Sequence, residues 1–510
     1  MRQDSLFFSR DEDRFSRGVS LFITVIFLAF LGYVLVRYKF YTYIIREQLF
    51  STPKFGILVL IYLVLFAVSG FFVYRSARKK KEKPLVWGAA IFGAALLARL
   101  IVFVFVSYAP YNDFANYYTM GVAFAKGDYA AISRLTDAYQ ISSFSGIGVI
   151  NGAIMLLVGT SARTFQLVQC VVTSFSSVAV YLLARQIDRK AAPVAGLLFA
   201  FYPSNLFFSQ INTNQHIAIL FTLLAFFALI RAFAADAFSR SALWSLFGGG
   251  LLLVGYFAHP SSAPTLVALG AVWLVCVLAA RKKRRELLRL LTIAAAFCLG
   301  FFVLRTGLNA AMRQAGLQNE SQMSVSFLGK IMNGLNPDTN GALSFSDWEN
   351  IMAQPESERQ AYCVATIQKR LASGNLPQLI DTKIRHMWLE KDDVFGWVAV
   401  GTAPTQRLQG GEASLQSWMA AGNLLDFFYV AMIYLLSGIG AFLRKRGTAT
   451  DLILWVLLGW IGAHLLIEVQ TRYRYFAMPL LFIFAGYALV RLFGMRRESR
   501  KKQVPQPENE

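Results

Sequence analysis

Tyr108-Ala-Pro-Tyr-Asn-Asp-Phe-Ala-Asn-Tyr-Tyr118 is the stretch on which the reading of this chain turns. Before it lies an apolar run that begins near Pro84 and stops at Ser107. A run of about 20 apolar residues is what a membrane-crossing helix needs. Beyond that edge come a proline and a lone acid, Asp113, with Asn116 and Tyr117 three and four residues later. On a helix those three share one face. A carboxylate just outside a span, on a helix dense in Tyr and Asn, points to chemistry at the membrane edge and to a membrane fold behind it.

Composition extends that reading to the whole chain. Of 510 residues, 56% are hydrophobic and 15% charged, whereas a soluble domain carries roughly a quarter charged. Twelve apolar runs are read as spans, near 18–36, 55–74, 85–108, 164–184, 192–210, 215–234, 242–258, 262–280, 289–306, 424–443, 451–468 and 475–493. The expected fold is an all-α polytopic membrane protein with about twelve transmembrane helices. The first run lacks a small-residue cleavage site and reads as a retained span, not a signal peptide.

The net charge of +21 comes from Lys/Arg clusters between the apolar runs. That is the pattern of the positive-inside rule, so no nucleic-acid partner is expected. Alternation from a cytoplasmic N-terminus places the clusters at 75–83, 281–285, 444–446 and 496–502 inside, together with Arg185, Arg189 and Lys190. Arg37, Lys39, Arg46 and Lys54 fall outside, an exception accepted because the first two spans read as an appended hairpin. The glycine-containing segment 144–158 reads as a juxtamembrane or re-entrant helix on the outer face.

The chain then divides into an N-terminal two-span hairpin with a basic linker (1–83), a transmembrane core (84–306) with an external loop at 109–163, and an external cap (307–423). C-terminal spans (424–495) and a cytoplasmic tail (496–510) follow, the tail reading as disordered. The cap has nine Lys/Arg against eleven Asp/Glu, so its charge is near balance and it can fold as a small helical unit. Its expected helices are 346–373 and 376–391. Cys170, Cys276, Cys298 and Cys363 form no C-x-x-C pair, and no disulfide framework or zinc site is readable. No Walker loop, dinucleotide fingerprint or H-E-x-x-H is present, so ATP-driven transport and zinc proteolysis lose their usual signals.

Four groups can carry chemistry, each with a plain structural alternative. Asn112 or Asp113 can cap the helix 113–126, or Asp113 can act as a general base that takes a proton from an attacking hydroxyl. In Glu468-Val-Gln-Thr-Arg-Tyr-Arg-Tyr475, Arg472 and Arg474 lie at the N-terminus of the last span. They can bind phosphate there, or grip lipid headgroups beside an aromatic belt of Tyr473 and Tyr475. Glu468 is expected to pair with Arg472. Lys383 and Arg385 can add to an anion site or form a solvated helix face. Asn214 and His216, in the polar stretch 209–216, can line a sugar pocket or make a capped turn. Asn112, Asn116, Tyr117, Tyr473 and Tyr475 complete the candidate substrate pocket. Arg99, deep in a span, and His259, at a span end, read as structural.

The order of these features resembles the GT-C superfamily of membrane glycosyltransferases over roughly 85–495. The likeness is carried by the span with Arg99, Asn112-Asp113 with Tyr117 and Tyr118, and Lys126-Gly127. Arg163, Ala200-Phe-Tyr-Pro203, Ser209-Gln210, Arg472-Tyr-Arg-Tyr475 and Pro479 extend it. The nearest branch looks like the protein O-mannosyltransferases and the aminoarabinose-lipid A transferases. The resemblance implies a sugar taken from a polyprenyl-phosphate carrier and transferred with inversion on the outer face of the plasma membrane. Asp113 would be the catalytic acid of the first external loop. Arg472 and Arg474, with Lys383 or Arg385, would hold the donor phosphate. The expected partners are the lipid-linked donor, membrane lipids and an acceptor glycan, lipid or protein. Residues 212–216 carry no carboxylate, which argues against a metal site, since hard cations want several carboxylate oxygens. No cofactor is expected. A transporter or flippase of lipid-linked sugars is the alternative, although the paired broken spans usual in such proteins are not readable.

Overall fold

The computed structural model describes residues 14–38, 53–77, 83–139, 143–259, 263–317, 323–402 and 411–502. In chain order the helices are α1 (Arg14–Arg37), α2 (Pro53–Ala77), α3 (Pro84–Phe105), α4 (Asn112–Ala125), α5 (Tyr129–Tyr139) and α6 (Ser143–Val158). Next come α7 (Ala162–Ile187), α8 (Ala191–Ala200), α9 (Pro203–Phe208), α10 (Gln215–Ala234), α11 (Phe238–Ala258) and α12 (Ala263–Ala280). α13 (Arg284–Cys298) runs through a π turn (Leu299–Val303) into α14 (Leu304–Gln314). An insert of short helices follows: α15 (Met323–Gly334), α16 (Phe345–Met352), α17 (Arg359–Ala372), α18 (Leu376–Ile384) and α19 (Val394–Thr402). The last long helices are α20 (Gly411–Leu443), α21 (Thr448–Leu466) and, after a 3-10 turn (Thr471–Phe476), α22 (Met478–Lys502).

Among the described residues there is no strand, and nine helices are long and apolar enough to cross a membrane. The chain is an all-α polytopic membrane protein. Three of the twelve runs read from the sequence correspond to shorter apolar helices: Ala191–Ala200, Pro264–Ala280 and Met478–Phe493. The run 192–210 is split because Pro203 lacks an N–H and holds Tyr202 out of the helical region, at φ −63° and ψ 116°. The expected helix 346–373 is likewise interrupted between Met352 and Arg359, around Pro355.

Side-chain contacts fix which helix ends meet. At one end Arg444 Nη2 lies 2.7 Å from Asp451 Oδ1 and 3.1 Å from Ser20 Oγ. At that end, too, Tyr181 Oη donates to the Pro84 carbonyl at 3.4 Å, and Arg491 pairs with Asp188 at 3.2 Å. At the opposite end the Ala109 N–H donates to the Gly401 carbonyl at 2.8 Å, so the insert sits on the segment that leads into α4. Arg37 also reaches the insert there, contacting both Asp381 oxygens at 2.9 Å. Lys54 Nζ lies 5.5 Å from the Trp418 ring, so two of the basic residues expected to depart from the positive-inside pattern have partners within the fold. α1 packs against α20 and α21 through buried Ile23, Phe27, Leu31 and Val34, whereas Leu60 and Leu63 of α2 are exposed.

α6 lies along α4 on a face made of small residues. A Cβ on Gly152 would fall 2.3 Å from the Phe124 ring, and one on Gly121 would fall 2.7 Å from Asn151 Cβ. The glycines of 144–158 therefore serve close helix packing beside Asp113's helix. The insert has a core of its own, Val325, Met332, Ile351 and Cys363. Arg370 braces it, reaching both carboxylate oxygens of Asp347 at 2.8 and 2.9 Å.

Candidate active site

The apolar run of α3 ends at Phe105, and its last carbonyls are held by Arg163, which donates to Phe103 and Val106. A basic side chain at a helix C-terminus satisfies carbonyls that have no partner within the helix. The chain then turns through Tyr111 and Asn112, and Asn112 takes φ +49°, a conformation Asn tolerates better than most residues. α4 starts there without a side-chain cap, Tyr111 occupying the cap position. The Asp113 carboxylate is thus not spent on capping. It projects from the first turn, its side chain 53% exposed.

Its partner comes from 359 residues away. Arg472 Nη2 lies 3.2 Å from Asp113 Oδ2. The arginine is fixed by rings, its guanidinium carbon 5.5 Å from the Trp397 centroid and 5.8 Å from those of Phe114 and Tyr473. Such cation–π contacts gain strength as the cation is desolvated, and only 11% of the Arg472 side chain is exposed. Burial works against its charge, but Tyr473, Tyr117 and Asp113 together hold its pKa above the ordinary arginine value.

Behind Arg472 lies a second charged group. Glu468 Oε1 accepts from Lys330 Nζ at 2.9 Å and from Tyr473 Oη at 2.6 Å. Glu468 therefore pairs with Lys330 rather than with Arg472, because its backbone N–H is docked on the Lys330 carbonyl at 2.9 Å. Burial alone would raise the Glu468 pKa. The charge and hydrogen bond of Lys330, with the Tyr473 hydroxyl, bring it down to about 2. His259, at the end of α11, feels both Arg472 and Lys330. Burial first, and those cations second, lower its pKa to about 3 and leave the ring neutral at physiological pH.

The other sequence candidates occupy distinct places. In a 3-10 turn, with three residues per turn, residues two apart point to different sides, and Arg474 turns inward. Its Nη2 lies 3.2 Å from Asp392 Oδ2 and 4.0 Å from Asp426 Oδ2, and Nη1 donates to the Glu390 carbonyl at 2.9 Å. Lys383 is buried and donates to the Gly334, Leu465 and Ile467 carbonyls at 2.7, 2.9 and 2.8 Å, joining the ends of α15 and α21. Burial lowers its pKa to about 7, with Glu468 opposing. Arg385 pairs with Asp381 at 3.0 Å.

Asn116 is half-buried and Tyr117 buried. Asn151 Nδ2 donates to the Tyr117 carbonyl at 3.0 Å and to Asn214 Oδ1 at 2.8 Å, tying α4 to the start of α10. His216 Nε2 is 2.9 Å from the Phe208 carbonyl, and Tyr475 bonds Asn205; both rings are buried. Asp113, Arg472, Tyr117 and Tyr473 thus gather at one point, while Arg474, Lys383, Asn214, His216 and Tyr475 form the packed support around it. Lys330 and Trp397 join the site from elements that carry no sequence motif, and Phe114 joins it as the residue after Asp113. Among the described residues, no three His, Cys, Asp or Glu side chains gather as a metal-binding group.

No family model matches this chain, and no curated protein matches it in sequence. Among solved structures it is similar to the archaeal oligosaccharyltransferase AglB from Archaeoglobus fulgidus, in complex with an inhibitory peptide and a dolichol-phosphate, at 15% identity and a TM-score of 0.37. The likeness covers 83% of this chain and 52% of that one, so the chain spans about half the length of the protein it matches. Similarity at that level transfers nothing about activity.

Proposed function

We propose that this chain is an inverting glycosyltransferase of the plasma membrane. It moves a hexosyl or pentosyl group from a polyprenyl-phosphate donor to a protein, lipid or wall-polymer acceptor. The observation that carries the reading is the meeting of Asp113 with Arg472 in an aromatic setting at the insert-bearing end of the bundle. A twelve-span threading supports an outward-facing site, because the basic residues at 185–190 and 444–446 lie at the other end, with Arg491.

In this reading the acceptor hydroxyl attacks the anomeric carbon as the bond to the phosphate oxygen breaks. The proton passes to Asp113, and the carrier departs as polyprenyl phosphate. Arg472 offsets the charge growing on that phosphate from a preorganised position. Arg474, Lys383 and Arg385, already paired, hold the segment in place, and the insert selects the acceptor.

The test is to feed radiolabelled polyprenyl-phosphate sugars to the purified protein in liposomes. Label should move to an acceptor, and Asp113→Asn should lower transfer by about 10²–10⁴-fold with expression unchanged. Normal turnover by that variant refutes the base assignment. Label crossing the bilayer without transfer identifies a transporter.

A further inference from the structure

We propose that Asp113 and the donor phosphate take turns on Arg472, so that the ion pair acts as a latch that the donor opens. This rests on the reading above, in which Arg472 meets the phosphate.

The two partners are unequally held. Arg472 is caged by three rings and 11% exposed, whereas Asp113 stands on the rim at 53%. The contact is a single one, Nη2 to Oδ2 at 3.2 Å, and Arg472 Nε has no hydrogen-bond partner. Arginine binds anions best through two parallel N–H groups, and this pair leaves that capacity unused. Lys330 stays on Glu468, so Asp113 is the carboxylate that answers Arg472. The donor's phosphodiester brings two free oxygens and one negative charge, which suit the guanidinium fork, and it is not tied to the short side chain of a residue on the rim. It displaces the half-exposed partner, not the caged one.

The displacement has a chemical result. While the pair is closed, Asp113 Oδ2 is occupied by Arg472 Nη2. Once it opens, both carboxylate oxygens are available to accept from the acceptor hydroxyl. The base is therefore quiet until the donor is seated, and the donor binds before the acceptor can react.

The test uses the full chain in phosphatidylcholine nanodiscs with farnesyl phosphate as the probe. Asp113→Asn should tighten binding about two- to fivefold, the size of a half-exposed ion pair, and Arg472→Gln should weaken it at least about tenfold. A structure with the probe bound should show phosphate on Arg472 and Asp113 beyond hydrogen-bond distance. Unchanged or weaker binding by Asp113→Asn, a pair still closed around bound probe, or no binding at all would each overturn the latch. The two readings fail separately. If Asp113→Asn transfers sugar normally while the pair opens, the base role falls and the latch stands. If that variant is inactive and the pair stays shut, the latch falls and the base role stands.

Discussion

Glu468→Gln removes a charge from the group that holds Lys330 and the Tyr473 hydroxyl. The carboxylate is held by Lys330 Nζ at 2.9 Å and Tyr473 Oη at 2.6 Å, and these outweigh burial to bring its pKa from 4.5 to about 2. Such a displacement corresponds to a stabilisation on the order of 3 kcal/mol. Lys330 is 33% exposed, and solvent screening reduces the figure to about 1–3 kcal/mol. A carboxylate whose folded pKa is depressed stabilises fully above its unfolded pKa and loses that contribution as pH falls through the folded one. Here the window runs from about 4.5 down to about 2. The assay is hydrogen exchange at the Glu468 and Val469 amides, which donate to the Lys330 and Gly341 carbonyls at 2.9 Å each. The Gln variant should lose about 5- to 150-fold of their protection, the population equivalent of about 1–3 kcal/mol of local opening. In the wild type, protection corrected for intrinsic exchange should stay level from pH 7 to about 4.5 and fall below that. Unchanged protection in the variant, or wild-type collapse between pH 7 and 5, would refute the reasoning.

Arg474→Gln should leave Asp392 and Asp426 as uncompensated buried carboxylates and cost about 3–5 kcal/mol, seen as lost folded yield, while Arg472→Gln folds nearly normally. Gly152→Val should force Phe124 away from α6 and cost about 1–3 kcal/mol. Its melting temperature in detergent should drop, and an unchanged value would mean that α4 and α6 do not depend on that contact.

The helical membrane fold is legible because apolar runs of span length leave little else to form, and prolines mark several starts. Pro203 and Pro355 also carry the breaks that the longer readings of 192–210 and 346–373 pass over. Asp113 stands out because an apolar run stops sharply before it. Arg472 and Arg474 stand out together, and the sequence does not separate them, since the turn geometry that sends one toward Asp113 and the other toward Asp392 depends on the 3-10 turn. Lys330 is one lysine in an insert of nearly balanced charge. Only the docking of Glu468 on its carbonyl brings it to the site. Lys383 reads as a solvated charge on its helix because nothing local announces the carbonyls of two distant helix ends around it.

The fork from Arg37 to Asp381 joins residues 344 positions apart. At a synthesis rate of about 5–20 residues per second, the arginine waits roughly 20–70 s for its acid to be made. During that interval Arg37 stands at the end of α1 with the acid that answers it not yet made. A nascent chain that ends before residue 381 lacks that acid, so the contact that ties the end of α1 to the insert forms only after most of the chain has been made.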